Sequence, residues 1–469
     1  MKVYNLSVAL TTLAFLMACA SVMLIKSFTT FTVAMLSILF LFLLLYSIFS
    51  KGIATRIFFI VLCVSHIIGL WTLHLFQNSF TNSGGAAVKQ FDFSAEQFII
   101  IFLPVLAMYF LVIILLNFLD VFLPPLSKIS PLNSNNHLPL EANNKTIKFN
   151  LAIVFIILFM LPVHDFMFSN MVAVTGQSHL QNPLPFKIGG ILFYFTKILL
   201  PIILLSLYFR ARSSLILLII VLGYALFVGL TQMSRSSLFM LVLPILLIHQ
   251  YRRDYLYTAL SGIFLVSGGI LLGFFREIAT EINILEIIKG QSIIDLFYLI
   301  LPELSNFSFQ YETLVNIASR FGGGQDVVLA SQYSIDATGG LLANLSRIFL
   351  GDLTYASESS WHLYDFVPLQ GQGVGYGGIT AQLIQVSKGN YLLTLLIIIF
   401  LSIILKIFDY LIIKISNRSK NISVTYILVM PVILLFFLYS SFVLIYYYIV
   451  FLVCIYNLLK VNLNIKVKE

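Results

Sequence analysis

Runs of about 20 apolar residues recur along the whole sequence, and they constrain the fold more than any other feature. A helix that crosses a bilayer needs about 20 predominantly apolar residues, because each residue adds only about 1.5 Å to its length. Only 10% of the 469 residues are charged and 60% are hydrophobic, whereas a soluble domain carries about 25% charged residues. The sequence therefore predicts an all-α polytopic membrane protein.

The hydropathy pattern predicts about twelve transmembrane helices. The expected spans are 6–25, 30–49, 57–76, 98–122, 149–168, 188–209, 214–231, 237–250, 256–275, 379–413, 424–440 and 442–459. The first span has a second interpretation, because Lys2, an apolar stretch and the small residues Ala18 to Ala20 are typical of a cleavable signal peptide.

The distribution of basic residues predicts the orientation of these helices. Seventeen of the 27 Lys and Arg residues fall on the side of the membrane that carries both termini. Cytoplasmic loops are the ones enriched in Lys and Arg, so both termini are expected in the cytoplasm. Topology thus explains the net charge of +8, and no basic cluster is dense enough to indicate a nucleic-acid partner.

One external connection is far longer than the others and divides the chain into three parts. These are transmembrane helices 1–9 (1–275), a large periplasmic loop (276–378) and transmembrane helices 10–12 (379–469). The loop holds 11 of the 19 carboxylates but only four Lys or Arg residues. Because loops on a rigid scaffold usually carry function, the site is expected in this loop and at the membrane edge beneath it.

Arginines on the external side are the first candidates, because the positive-inside rule disfavours them there. Arg235 lies in a short polar turn, 231–237, between two apolar spans. A guanidinium among hydroxyl groups suits a phosphate, although an interfacial anchor would look the same. Arg276 follows the ninth span, where it could instead pair with neighbouring carboxylates. Arg320 and Arg347 carry the same argument more weakly.

Acid–base and sugar-binding candidates also lie in the external loop. His362 and Asp365 are three residues apart, so one helical turn would let the carboxylate orient the imidazole for proton transfer. A lone His is more often structural, and Glu312 is an alternative base. Trp361 and Tyr364 offer flat rings on which sugars stack. The loop contains no Asp-rich pair at metal-binding spacing, so neither a metal nor another cofactor is expected.

Several ionisable residues lie inside the predicted spans, where a charge is by default a functional hypothesis. Lys197 is expected to pair with Asp165 or to contact a lipid phosphate. His164 adjoins that aspartate, and His66 and His74 are expected to form interhelical hydrogen bonds. The formal GxGxxG at 373–378 lacks a βαβ context, so it predicts a tight loop rather than a dinucleotide site.

The architecture and two short motifs resemble the Wzy-type polymerases, which link the oligosaccharide repeat units of O-antigen and of enterobacterial common antigen. The motifs are Ser-Arg-Ser-Ser at 234–237 and the glycine stretch at 373–376 before the tenth span. The resemblance implies a GT-C-like fold in the bacterial inner membrane and a metal-independent, inverting glycosyltransferase. Its substrates would be undecaprenyl-pyrophosphate-linked oligosaccharides. The enzyme would also contact membrane lipids, and a chain-length regulator protein would be a further partner.

The resemblance also implies roles for individual residues. Arg235 would hold the donor pyrophosphate, Arg276 corresponds to the arginine that closes the preceding long helix, and Glu312 falls in a similar aromatic-Glu segment. The chain departs from the family where many relatives carry Glu and Asn after the late glycines, because it has Gln382 and Gln385 there.

Three other functions remain open. An O-antigen ligase would use the same fold and donor with a different acceptor. A lipid-linked oligosaccharide flippase or another transporter would also have about twelve helices, but it would have short loops on both sides. A structural subunit or an export subunit would catalyse no reaction.

Overall fold

The protein is described by a computed structural model over residues 27–75, 93–124, 140–170, 188–210, 214–232, 234, 236–281, 391–419, 422–437 and 442–466, with the isolated positions 295, 298, 302, 327 and 328. The helices in these ranges are α1 (Phe28–Ile48), α2 (Ile53–Leu75), α3 (Ala95–Leu119), α4 (Leu140–Ser169), α5 (Ile188–Tyr194), α6 (Leu200–Tyr208), α7 (Leu215–Thr231), α8 (Ser236–Arg252), α9 (Tyr255–Glu281), α10 (Tyr391–Ser419), α11 (Ile422–Phe437) and α12 (Phe442–Lys466). A 3₁₀ turn, Asp120–Phe122, follows α3, and a π-helical turn, Phe195–Leu199, joins α5 to α6.

The prediction of a helical membrane protein is confirmed. Within the described ranges there is no strand, and six helical segments are long and apolar enough to cross a membrane: Phe28–Ile48, Ile53–Leu75, Ala95–Phe122, Lys148–Ser169, Tyr255–Gly273 and Thr394–Ser419. Shorter apolar helices of 10–17 residues accompany them. The predicted span 6–25 lies outside the described residues.

Some helices continue beyond the ends that hydropathy predicts. Helix α10 was expected to end at residue 413 but reaches Ser419, because polar residues in its last turns find partners on α12. Arg418 Nη2 donates to the Tyr456 hydroxyl at 2.9 Å, and its guanidinium lies 3.9 Å from the centre of the Tyr456 ring. Helix α9 likewise runs past residue 275 to Glu281. Hydropathy alone misses such polar turns.

Large apolar side chains cover the outside of the bundle as well as its core. Phe118, Phe155 and Ile216 are each more than 70% exposed, and buried residues from nearly every helix form one continuous apolar core. Exposed apolar surface of this extent is unfavourable in water. It matches the hydrocarbon of a bilayer, so these outward side chains are placed to contact lipid.

The helices pack as two groups that are joined by the helices after the long loop. Helices α1, α2 and α3 pack together, and α7, α8 and α9 form the second group, with α4 against α6 and α7. Helix α10 packs on α2, α3, α11 and α12, while α11 contacts α2, α6 and α8. The two helices α10 and α11 therefore bridge the groups that precede the loop.

The end of the bundle where α1 meets α2, here called the inner end because charge predicts that it faces the cytoplasm, is held by a buried polar cluster. The inner-end cluster comprises Ser50, Thr55, Arg56, Asp120, Lys406 and Asp409. The Lys406 ammonium pairs with Asp120 and lies 3.7 Å from Asp409. Asp120 also accepts from the Lys51 amide at 2.8 Å. Both aspartates therefore have a basic partner within the bundle.

Asp409 acts as the N-terminal cap of α2, although it belongs to α10. Helices α1, α3 and α7 are capped locally, by Ser27, Ser94 and Ser214. The Asp409 carboxylate instead accepts from the Ala54 amide at 2.7 Å, the Thr55 amide at 3.4 Å and the Thr55 hydroxyl. A carboxylate at a helix N-terminus satisfies unpaired amides and complements the helix dipole. This contact fastens α10 to the start of α2.

A second polar joint connects α6, α8 and α9 at the inner end. His249 is fully buried and bonds the Tyr208 hydroxyl at 3.0 Å through Nε2 and Asp254 at 3.1 Å through Nδ1. Tyr257 stacks on its ring at 4.8 Å. Since both ring nitrogens are engaged and the site faces the predicted cytoplasm, this Tyr–His–Asp arrangement is assigned to helix packing.

We expect Asp409→Ala to destabilise the protein by about 2–4 kcal/mol, between the cost of a lost helix cap and that of a broken buried ion pair. The substitution leaves the first amides of α2 unsatisfied in a nonpolar environment. Thermal unfolding of the detergent-purified protein measures the effect. Glu96→Ala is the control, because Glu96 is an exposed carboxylate in the first turn of α3 and should cost less than about 1 kcal/mol. Equal midpoints for the two variants would contradict the capping role.

We expect Gly52→Ala to be destabilising as well, because a Cβ at Gly52 would lie 1.8 Å from Asp409 Oδ2. The carboxylate is fixed by its hydrogen bonds and can move only by releasing α2. Gly223→Ala is the matched control, since nothing lies within 4 Å of its Cβ position, and the helix propensity of Ala favours it by up to about 1 kcal/mol. Opposite shifts in the unfolding midpoint are therefore expected, and a neutral Gly52→Ala would show that the contact is loose.

Candidate functional site

The strongest concentration of buried polar groups away from the inner end lies where α4 ends and α8 begins. This end of the bundle is called the outer end, since charge predicts that it faces away from the cytoplasm. Lys197, Tyr224 and Ser237 line one small cavity there, and Lys197, Ser236 and Ser237 are each at most 5% exposed. The outer-end pocket is defined by His164, Lys197, Tyr224, Gln232, Ser234, Ser236 and Ser237.

Lys197 is positioned by the π-helical turn Phe195–Leu199. Pro201 follows Lys197 by four residues, so it has no amide to donate to the Lys197 carbonyl, and its ring crowds that oxygen. The helix widens at this point, and the Thr196 hydroxyl bonds back to the Leu192 carbonyl at 2.8 Å. Such π turns occur frequently at functional sites. The spacing of Pro201 from Lys197 is the sequence signal for this turn.

The Lys197 ammonium reaches the polar turn that precedes α8. Its Nζ donates to Ser236 Oγ at 3.0 Å, and Ser236 Oγ lies 2.6 Å from Ser234 Oγ. Ser236 is the first residue of α8, where backbone amides point toward the preceding turn. An ammonium, two hydroxyls and a helix N-terminus thus converge within a few ångströms.

The turn between α7 and α8 is held in place by its own hydrogen bonds and by a close helix contact. The Ser234 amide donates to the Gly229 carbonyl at 2.9 Å, and Ser237 Oγ donates to Gln232 Oε1 at 2.8 Å. A Cβ at Gly229 would lie 2.6 Å from a methyl group of Leu272 on α9. Glycine therefore lets α9 approach the base of this turn.

His164 and Tyr224 extend the pocket deeper into the bundle. His164 Nε2 and the Tyr224 hydroxyl are 2.8 Å apart, and His164 is 1% exposed. Its other ring nitrogen, Nδ1, is buried without a hydrogen-bond partner in the described part of the chain. Tyr224 thereby receives a fixed hydroxyl orientation at the cavity wall.

The pocket is suited to an anion with several oxygen atoms. Ammonium and hydroxyl donors at a helix N-terminus are the groups that bind phosphates in proteins. The free volume of the cavity is about 10 Å³, about the lower limit for one water molecule. A phosphate must therefore displace the Ser236 hydroxyl from Lys197 to enter.

Of the predicted external candidates, the structure brings the neighbours of Arg235 into this pocket. Ser234 and Ser236 are described, whereas Arg235 itself lies outside the described residues. Arg276 lies in α9, which continues to Glu281, so Arg276 and Thr280 are one helical turn apart, as expected if the helix continued. The other predicted site residues also lie outside the described residues: Glu312, Arg320, Arg347, Trp361, His362, Tyr364 and Asp365.

His66 and His74, both within α2, form different kinds of hydrogen bond. His74 Nε2 bonds Thr30 Oγ1 on α1 at 2.9 Å, so its predicted interhelical bond is confirmed. His66 instead bonds the Leu62 carbonyl in its own helix through Nδ1, at 2.9 Å. The prediction for His66 is wrong because a His in a helix can reach the carbonyl four residues earlier. In the described ranges, no group of three or more His, Cys, Asp or Glu side chains could hold a metal ion.

We expect Tyr224→Phe to lower stability by about 1–3 kcal/mol, because it leaves the buried His164 Nε2 without its hydroxyl partner. Thermal unfolding in detergent measures the change. Tyr46→Phe is the control, since Tyr46 is 41% exposed and its ring packing is retained. A Tyr224→Phe midpoint as high as that of the control would indicate that the His164–Tyr224 bond contributes nothing to the pocket.

The chain was compared with protein-family models, curated proteins and solved structures. No protein-family model, curated protein or solved structure matches this chain.

Proposed function

We propose that this protein is a polysaccharide polymerase, which joins undecaprenyl-pyrophosphate-linked oligosaccharide repeat units into a surface polysaccharide of the O-antigen type. It is a metal-independent, inverting glycosyltransferase that works on the periplasmic face of the bacterial inner membrane. The observation that carries the proposal is the Lys197–Ser236 contact, which puts a buried cation next to the Ser-Arg-Ser-Ser turn.

The reaction requires two kinds of assistance. The acceptor hydroxyl oxygen attacks the anomeric carbon of the donor sugar, while the bond from that carbon to the pyrophosphate oxygen breaks. The leaving pyrophosphate takes the electron pair and remains on its undecaprenyl chain, so cations and hydrogen-bond donors must stabilise its charge. The proton of the acceptor hydroxyl passes to a base.

The outer-end pocket and the external arginines supply the first kind of assistance. Arg235 binds the donor pyrophosphate at the head of α8, next to Ser234 and Ser236. Arg276, near the end of α9, is a second pyrophosphate ligand, with Arg320 and Arg347 as further candidates in the loop. An Arg fork suits a phosphate because it presents two parallel donors.

The external loop supplies the base and the sugar contacts. His362, oriented by Asp365, or Glu312 removes the acceptor proton, and Trp361 and Tyr364 stack on the sugar rings. This assignment of roles to the loop and the bundle requires about twelve transmembrane helices, with both termini in the cytoplasm and residues 276–378 in the periplasm. A chain-length regulator protein would act on the polymer from the same side.

An O-antigen ligase would use the same donor, so the pocket suits either enzyme. The two functions are separated by deleting the protein from its host. Loss of a polymerase leaves a single repeat unit on the lipid core, whereas loss of a ligase leaves none. A flippase is separated in vitro, because purified polymerase lengthens lipid-linked repeat units in detergent without a second membrane compartment.

We expect Arg235→Ala to abolish long-chain polymer while the protein still inserts into the membrane, because the leaving pyrophosphate loses its main counter-charge. Removal of one such donor costs about 100- to 1,000-fold in rate. The measurement is the ladder of polysaccharide chain lengths in a complemented deletion strain. Arg210→Ala is the control, since Arg210 is exposed at the inner end and should support a normal ladder. A normal ladder with Arg235→Ala would refute the assignment.

A further inference from the structure

Lys197 is a lysine buried within an apolar bundle. It is 3% exposed and lies nine residues into the segment that begins with α5 at Ile188. Placing an ammonium at this depth costs free energy, so such residues usually serve a function. The widened turn imposed by Pro201 is a further local cost. Both unfavourable features accompany a single arrangement, in which the Lys197 side chain reaches the Ser234–Ser236 turn.

The contacts of Lys197 resemble a phosphate site in which a hydroxyl occupies the place of a phosphate oxygen. Ser236 Oγ lies 3.0 Å from Lys197 Nζ and 2.6 Å from Ser234 Oγ. Rotation of the Ser236 hydroxyl away from the ammonium would leave Lys197 and Ser234 facing the vacated position at the start of α8, with the Ser236 hydroxyl at its edge. These groups are all donors or can become donors.

We propose that Lys197, with Ser234 and Ser236, binds the phosphate that is directly linked to the polyprenyl chain of the lipid substrate. This inference deepens the proposed function and rests on it for the identity of the lipid. The pocket lies on the membrane side of the Ser-Arg-Ser-Ser turn, among apolar helices. A lipid whose chain lies among the apolar helices would bring its chain-linked phosphate to Lys197 first, and its second phosphate and sugars would extend toward Arg235 and the external loop.

The position of Lys197 predicts selectivity for an anion that carries a hydrocarbon chain. Soluble pyrophosphate has the same charged groups but would lose its hydration on entering an apolar bundle, with no chain burial to offset that loss. A phospholipid phosphodiester carries one negative charge, whereas a polyprenyl pyrophosphate carries at least two and extends its second phosphate toward further donors. The lipid pyrophosphate is therefore the favoured ligand of a site that contains an ammonium.

The test measures ligand binding rather than turnover. Purified full-length protein in nanodiscs is titrated with undecaprenyl pyrophosphate, with undecaprenyl monophosphate and with inorganic pyrophosphate. Lys197→Met keeps the length of the side chain and removes its charge, and we expect it to weaken binding of both undecaprenyl ligands roughly tenfold to 100-fold, as for loss of a charge-assisted hydrogen bond. Lys197→Arg should retain most of the affinity. Inorganic pyrophosphate should bind weakly and respond little to either variant.

Lys51→Met is the matched control, because Lys51 has an exposed side chain at the inner end. It should bind like the wild type. Ser236→Ala provides a second, milder variant in case Lys197→Met unfolds: removing a hydroxyl that donates to the phosphate should weaken binding of both undecaprenyl ligands several-fold, with the ammonium still present. A folded Ser236→Ala protein that binds both undecaprenyl ligands like the wild type would overturn the proposal.

Two other results would also overturn it. Unchanged affinity of a folded Lys197→Met protein would show that Lys197 does not contact the ligand. Restoration of binding in Lys197→Met/Asp165→Asn would show that the lysine serves only to neutralise Asp165 on α4. The two proposals can fail separately, since a wild type that binds undecaprenyl pyrophosphate through Lys197 but forms no polymer refutes the polymerase function alone.

Discussion

The carboxylate of Asp409 satisfies the first amide groups of α2, which lies 355 residues earlier in the chain at Ala54. In a nonpolar environment an unsatisfied amide costs several kcal/mol, because no water can replace the missing acceptor. Lys406 connects the same aspartate to Asp120 at the end of α3. One buried polar cluster thus fixes α2, α3 and α10 at a common depth. The cluster therefore joins α10 to helices from the N-terminal part of the sequence.

The two ends of the bundle use buried polar groups for different purposes. At the inner end, Asp120, Lys406 and Asp409 pair charge with charge, and His249 has both ring nitrogens engaged. At the outer end, Lys197 meets neutral hydroxyls at the start of a helix. Opposite charges in contact stabilise a packing arrangement, whereas an ammonium among hydroxyl donors favours an incoming anion. The hydroxyl contacts of Lys197 support the proposed binding site at the outer end.

Several helix bounds could be predicted from the sequence, because the length of an apolar run is a local property. The helix between α7 and α9 was expected at 237–250 and is found at Ser236–Arg252, and α7 was expected at 214–231 and begins at Leu215. The site was predicted less completely. Lys197 and the Ser-Arg-Ser-Ser turn were both identified, but their contact was not, since 39 residues separate Lys197 from Ser236. Nothing in the sequence marked Tyr224 as a pocket residue, because a tyrosine within an apolar run is usually a packing residue.

By itself, the sequence determined that the chain is a helical membrane protein, since only helices can satisfy backbone groups over long apolar runs. It also identified which ionisable residues lie within those runs. Only the tertiary structure decided the partner of each one: Asp409 caps a distant helix, His66 bonds within its own helix, and Lys197 reaches the head of α8. The physical reason is that burial makes a polar group's free energy depend on its nearest partners. Those partners are set by how the helices pack and are not recorded in the local pattern of residues.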